Sequence, residues 1–131
     1  MRHLCFSILF CCCLSVSFGQ KISFESKTAK QKTGSHIKFT CQLSEIESEF
    51  KAIELCDKLR TCEGILKADV LNSSVNKATL VLVTEPKGGA LKVQNAFLKF
   101  GFDYVYIDEK KVKTTEAIDY FSNLAKANSS K

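Results

Sequence analysis

Cysteine is the side chain with the most chemistry to offer in this chain, and its seven copies fall into two groups. Cys5, Cys11, Cys12 and Cys13 lie in an apolar stretch at the start; Cys41, Cys56 and Cys62 lie in the body. Thiolates bind soft metal ions, and pairs of thiols form disulfides in oxidising compartments. Cys56 and Cys62 fall on one helical pattern, about 9 Å apart along its axis and on different sides, which is too far for a bridge. Any bridge must therefore involve Cys41, and an odd set of three leaves one thiol over. The plainer reading weighs more, because free cysteine is among the most buried residue types and packs as a small apolar side chain.

Other reactive groups are sparse. Glu45, Glu47 and Glu49 could suggest a hard-metal site, but on a helix they spread around the axis, and acids in a first turn are explained by the helix dipole. His36 is a lone imidazole at the start of a strand, better placed at the surface than as a ligand. Gly88-Gly89 precedes a helical pattern where backbone amides could cradle an anion, yet a turn of Pro-x-Gly-Gly composition needs no ligand to account for it. No glycine-rich phosphate loop follows a strand, and no Ser, His and Asp set stands at suggestive spacing. The sequence reads as that of a non-enzyme.

Residues 1–19 have the layout of a secretory signal. Arg2 gives the positive start, residues 4–16 are almost wholly apolar, and Ser17-Phe18-Gly19 puts small residues at the two positions a signal peptidase inspects, with the cut between Gly19 and Gln20. The apolar run is short for a permanent anchor, which takes roughly 20 residues. Export to the periplasm or the exterior is the expectation, and four of the seven cysteines would leave with the leader. Residues 20–35 mix Lys, Ser, Thr and Gly around Ile22 and Phe24 and are read as a basic flexible arm with room for one short strand. Five lysines against Glu25 make residues 20–38 basic, whereas from Phe39 onward 13 Lys plus Arg balance 13 Asp plus Glu. With the remainder neutral, no basic stripe with stacking aromatics is visible, so a nucleic-acid role is not expected; the arm could rest on an anionic surface, although a solvated leader is the simpler account.

The elements follow from periodicity. Residues 37–43 alternate, with Ile37, Phe39, Cys41 and Leu43 on one face. They lead into a helix in which Ser44 and Glu47 have the spacing of a capping box and Gly64 provides the stop. Its apolar arc, centred near Ala52 and Cys56, is broad enough to lie across a sheet. Residues 65–71 and 78–83 make a hairpin, residues 90–100 a second helix, residues 102–107 a fourth strand, and residues 109–131 a charged link and a short helix. Strand, helix, strand, repeated twice, predicts an α+β ferredoxin-like βαββαβ sandwich over residues 36–108: four antiparallel strands, both helices on one face, and an extra C-terminal helix. Such a sheet leaves one face bare, with Thr79, Val81 and Val83 on it, and the C-terminal helix is expected to cover that face through Ile118 and Phe121.

Over residues 36–107 this pattern resembles the heavy-metal-associated domain family of soft-metal carriers and metal-pump modules. The resemblance is carried by Glu63-Gly64-Ile65, Lys77-Ala78-Thr79-Leu80 and Lys99-Phe100-Gly101-Phe102. The family binds copper(I) and similar ions through Met-Thr-Cys-x-x-Cys at the start of its first helix. Counting back from Gly64, the two cysteines fall at Ser48 and Lys51, with Ile46 in the place of the methionine. A serine hydroxyl stays protonated and hard, and a lysine ammonium repels a cation, so the resemblance implies a carrier fold without its metal site. The expected function is contact with another envelope or secreted protein, by a chain that is not an integral membrane protein and holds no cofactor. The rival is copper or another soft metal held by Cys41, Cys56 or Cys62.

Overall fold

The computed structural model describes residues 20–129; the signal read in residues 1–19 lies outside them. Strand β3 (His36–Ser44) buries Ile37, Phe39, Cys41 and Leu43 and turns Lys38, Thr40 and Gln42 the other way. It pairs antiparallel along its whole length with β5 (Lys77–Thr84), whose Ala78, Leu80, Leu82 and Thr84 are buried on the same side. β5 in turn forms a hairpin with β4 (Ile65–Ser74). Helix α1 (Glu49–Arg60) crosses from β3 to β4 and packs Ala52, Leu55, Cys56 and Leu59 on the sheet. Past its end, Gly64 takes a φ of 86°, the left-handed conformation that glycine adopts without a Cβ penalty.

The expected start of α1 is corrected. β3 runs on through Ser44, Glu45 adopts a φ of 59°, and the Ile46 amide donates to the Asn76 carbonyl at 3.4 Å. Ser44 is thus a strand residue and cannot form the capping box with Glu47; Ser48 occupies the N-cap.

The larger correction concerns the sheet. Among the described residues it is a mixed sheet of seven strands accompanied by three α-helices, ordered β4-β5-β3-β1 (Lys21–Phe24)-β6 (Tyr104–Ile107)-β7 (Lys110–Lys113), with β2 (Lys30–Thr33) also on β3. That is not the four-stranded antiparallel ferredoxin-like arrangement. The difference originates in the segment read as a flexible arm: β1 (Lys21–Phe24) alternates half-buried Lys21 and Ser23 with buried Ile22 and Phe24. It pairs antiparallel with the second half of β3, taking the edge that the fourth predicted strand would have used. That strand, β6 (Tyr104–Ile107), therefore lies parallel to β1 instead. β2 (Lys30–Thr33) pairs with the first half of β3, and the intervening residues bulge out before the Ala29 carbonyl returns to accept from the Thr40 amide at 2.9 Å.

The C-terminal expectation changes too. Asp108 and Glu109, with φ of 51° and 71°, make a two-residue turn from β6 into β7 (Lys110–Lys113). A 3-10 turn (Thr114–Glu116) leads into helix α3 (Ala117–Ser129). Helix α3 does not cover the bare face. It lies with α2 (Gly89–Lys99) on the buried side, where Phe24 meets Phe97 and Phe121 edge-on at 6.2 and 5.7 Å between ring centres. Aromatic packing draws it there, since the bare face offers mostly hydroxyls, amides and ammonium groups.

Candidate functional site

The three cysteines among the described residues are found inside the core. Cys41 is 2% exposed under α1, Cys56 is 1% exposed on α1, and Cys62 is buried with its Sγ 3.8 Å from the Lys58 carbonyl. All three are free thiols. Burial drives the Cys41 thiol far above its ordinary range, with a further push from Cys56. The Cys56 thiol is pushed up to about 11, again mainly by burial; Arg60 opposes the shift, and Asp69 and Asp57 reinforce it. Thiols held protonated in this way are poor ligands for a soft ion. Ser48, exposed at the N-cap of α1, and half-buried Lys51 stand one turn apart, joined by the Lys51 amide donating to the Ser48 carbonyl at 3.1 Å. Among the described residues, no three His, Cys, Asp or Glu side chains converge as metal ligands would. Gly88 holds the left-handed N-cap of α2 at a φ of 73° with open space around it, and Gly89 begins the helix where it closes tightly on Thr84, so conformation accounts for the first glycine and packing for the second.

What the fold does bring together is a set of lysines. On the face away from the three helices, strand register places Lys21 and Ser23 of β1, Lys38, Thr40 and Gln42 of β3, and Lys77 and Thr79 of β5 side by side. β6 and β7 add Tyr104 opposite Lys113 and Tyr106 opposite Lys111, while β4 adds Lys67 opposite Val83. Two ammonium groups lie over the tyrosine rings: Lys21 Nζ is 5.2 Å from the centre of Tyr106, and Lys111 Nζ is 4.5 Å from that of Tyr104. The centre of this face is a depression of about 720 Å³ floored by Ser23, Thr40, Gln42 and Thr79.

Its charge is one-sided. Of the strand positions that share this face, the carboxylate is Asp69 at the β4 edge, already held by Arg60 Nη2 at 3.1 Å. Lys21 also reaches Glu45 at 3.3 Å, an exposed pair that leaves most of its field intact. Glu25, Asp108 and Glu109 stand at one rim, where Asp108 is occupied by Ser26. Counting charges along the chain hid this arrangement, because much of the acid balancing these lysines is on the helices, as Glu49, Glu54, Asp57, Glu116 and Asp119. Sorting each strand's residues by parity would have shown it, since the lysines recur with period two.

Comparison of the chain with models of protein families, with curated proteins and with solved structures finds no match. Among the described residues, no helix is long and apolar enough to cross a membrane.

Proposed function

We propose that this chain is an exported, non-catalytic binding module that engages an acidic protein partner through the sheet face its helices leave open. The observation that supports it is the convergence of Lys21, Lys38, Lys67, Lys77, Lys111 and Lys113 on that face, with Tyr104 and Tyr106 among them. Such a field attracts an acidic surface from a distance, and the hydroxyls and amides between the lysines supply hydrogen bonds at contact. A protein rather than a nucleic acid is the partner this reading selects, because the leader directs the chain out of the cytoplasm. The competing reading, soft-metal binding by Cys41, Cys56 and Cys62, has against it the burial of all three thiols.

The test is a titration of isotope-labelled protein with a poly-glutamate peptide, followed by amide shifts. Shifts should map to Thr40, Gln42, Thr79 and Tyr106, and affinity should fall about tenfold or more as salt rises from about 50 to about 300 mM. Lys21→Glu combined with Lys77→Glu should abolish the shifts. Shifts confined to the helices, affinity indifferent to salt, or tighter binding of a single-stranded oligonucleotide of equal charge would each defeat the proposal.

A further inference from the structure

On the opposite side of the sheet, α2, α3 and the bulge between β1 and β2 enclose a second cavity, of about 450 Å³. Its walls are largely carbon: Phe24, Phe39, Val93, Phe97, Val105 and Phe121. One polar atom stands out against them. Gln94, on α2, lines the cavity, and its Oε1 is buried just behind the wall with no hydrogen-bond partner among the described residues. Two hydroxyls of the lining are already committed, Thr114 Oγ1 to the Phe102 carbonyl at 2.5 Å and Ser26 Oγ to Asp108 at 2.6 Å.

A buried acceptor with no donor is uncommon in folded proteins and calls for a group that would complete it. Water is a poor candidate, since it needs two to four polar partners and this wall is mostly aromatic and aliphatic. A concave, mainly apolar space of this size with one fixed polar group is the usual form of a small-molecule site, in which the apolar wall supplies affinity and the polar atom orientation. We infer that this cavity binds a neutral, single-ring or short-chain apolar molecule carrying one hydroxyl, an alkylphenol or its equivalent, whose O–H donates to Gln94 Oε1 once the side chain turns its amide into the space. The inference is independent of the lysine face, which lies across the sheet.

The bulge gains a purpose on this reading. Ala29 and Lys30 line the cavity because residues 25–29 leave the sheet and return, so the irregularity between β1 and β2 forms a wall of the site. Exposed Lys30 and Ser122 stand where a ligand would enter, and α3 contributes Ala117, Ile118 and Phe121 as the opposite wall.

The probes are 4-butylphenol and butylbenzene, nearly equal in shape and differing in one hydroxyl, titrated into the full chain and followed by NMR. Both should shift the signals of Val93, Val105 and Phe97, and the phenol should bind about tenfold more tightly, the worth of one hydrogen bond to a buried acceptor. In Gln94→Leu, and in Gln94→Met should the first variant fail to fold, that preference should disappear while butylbenzene still binds. Ala90→Phe, which fills the space from the α2 side, should exclude both. Absence of shifts at those residues, equal affinity of the two probes for the unmodified chain, or a preference that survives at position 94 would each overturn the inference.

Discussion

The Asp108 carboxylate accepts two hydrogen bonds from Ser26, one from its amide at 2.9 Å and one from its hydroxyl at 2.6 Å, across 82 positions of sequence. With the Asp108 amide donating to the Phe24 carbonyl at 2.9 Å, this clamp joins the end of β1 to the turn between β6 and β7. It fixes the start of the bulge that walls the apolar cavity. The same aspartate holds a left-handed conformation, which Asp and Asn tolerate better than most residues.

The clamp should be visible in pH dependence. Both bonds from Ser26 stabilise the ionised carboxylate and hold Asp108 below the ordinary carboxylate range. A depressed folded pKa contributes stability that is present above the unfolded value, about 3.9, and is lost as pH falls through the folded value. Thermal melts between about pH 2 and pH 6 should show a shallower acid decline in Asp108→Asn than in the unmodified chain. In Ser26→Ala, NMR titration should find the Asp108 midpoint moved up toward that ordinary value.

Ile22 is fully buried, and it decides between a strand and an arm. A side chain at the centre of a packed sheet costs about 2–5 kcal/mol when cut to alanine, while a residue on a solvated arm costs almost nothing. Urea denaturation of Ile22→Ala should therefore show a loss in the first range. Ser23→Ala, one position along and on the other face, should fall within about 0.5 kcal/mol of the unmodified chain.

The alternation of β3 and β5, the hairpin of β4 with β5 and the presence of both crossover helices were legible because apolar residues recur along them with the right period; the start of α1 was not, since Ser44 and Glu47 imitate a capping box where the N-cap is Ser48. β1 was not, since a four-residue strand holding only Ile22 and Phe24 gives two periods of signal amid lysines and serines. β7 escaped for a similar reason: Val112 is the lone buried residue in Lys110–Lys113, and its neighbours are all lysine. β2 carries no buried residue at all in Lys30–Thr33. Missing these three strands made the fold class wrong, above all because β1 takes the edge of β3 that a ferredoxin-like sheet gives to its fourth strand. It also hid the lysine face, half of which stands on β1, β6 and β7. The cavity beside Gln94 has no sequence signal, since it is formed by elements brought together only in three dimensions.

The core thiols should resist modification and yet weaken the fold at high pH. Burial raises both Cys41 and Cys56, the latter to about 11. A thiol whose folded pKa exceeds its unfolded value contributes stability in full below the unfolded value, about 8.5, and that contribution is lost as pH rises through the folded one. Alkylation by iodoacetamide at about pH 8 should proceed no faster than global unfolding. Between about pH 9 and pH 11 the chain should lose stability, and Cys56→Ala should lose less across that interval.

Gly89 sits where α2 leaves β5, and its hydrogen points at Thr84, a fully buried threonine whose hydroxyl donates to the Glu85 carbonyl at 3.1 Å. A Cβ added at Gly89 would overlap Thr84 Oγ1 and lie 3.2 Å from Thr84 Cβ. Alanine favours a helix over glycine by about 1 kcal/mol, so propensity alone predicts that Gly89→Ala stabilises. Overpacking against a buried neighbour costs about 1–3 kcal/mol and should prevail, giving a net loss. Thr84→Ala removes the obstructing hydroxyl, and the double variant should then be more stable than the sum of the single losses predicts, by about 1 kcal/mol or more. Simple additivity in denaturant melts would show that the close approach of helix and strand is not what requires glycine here.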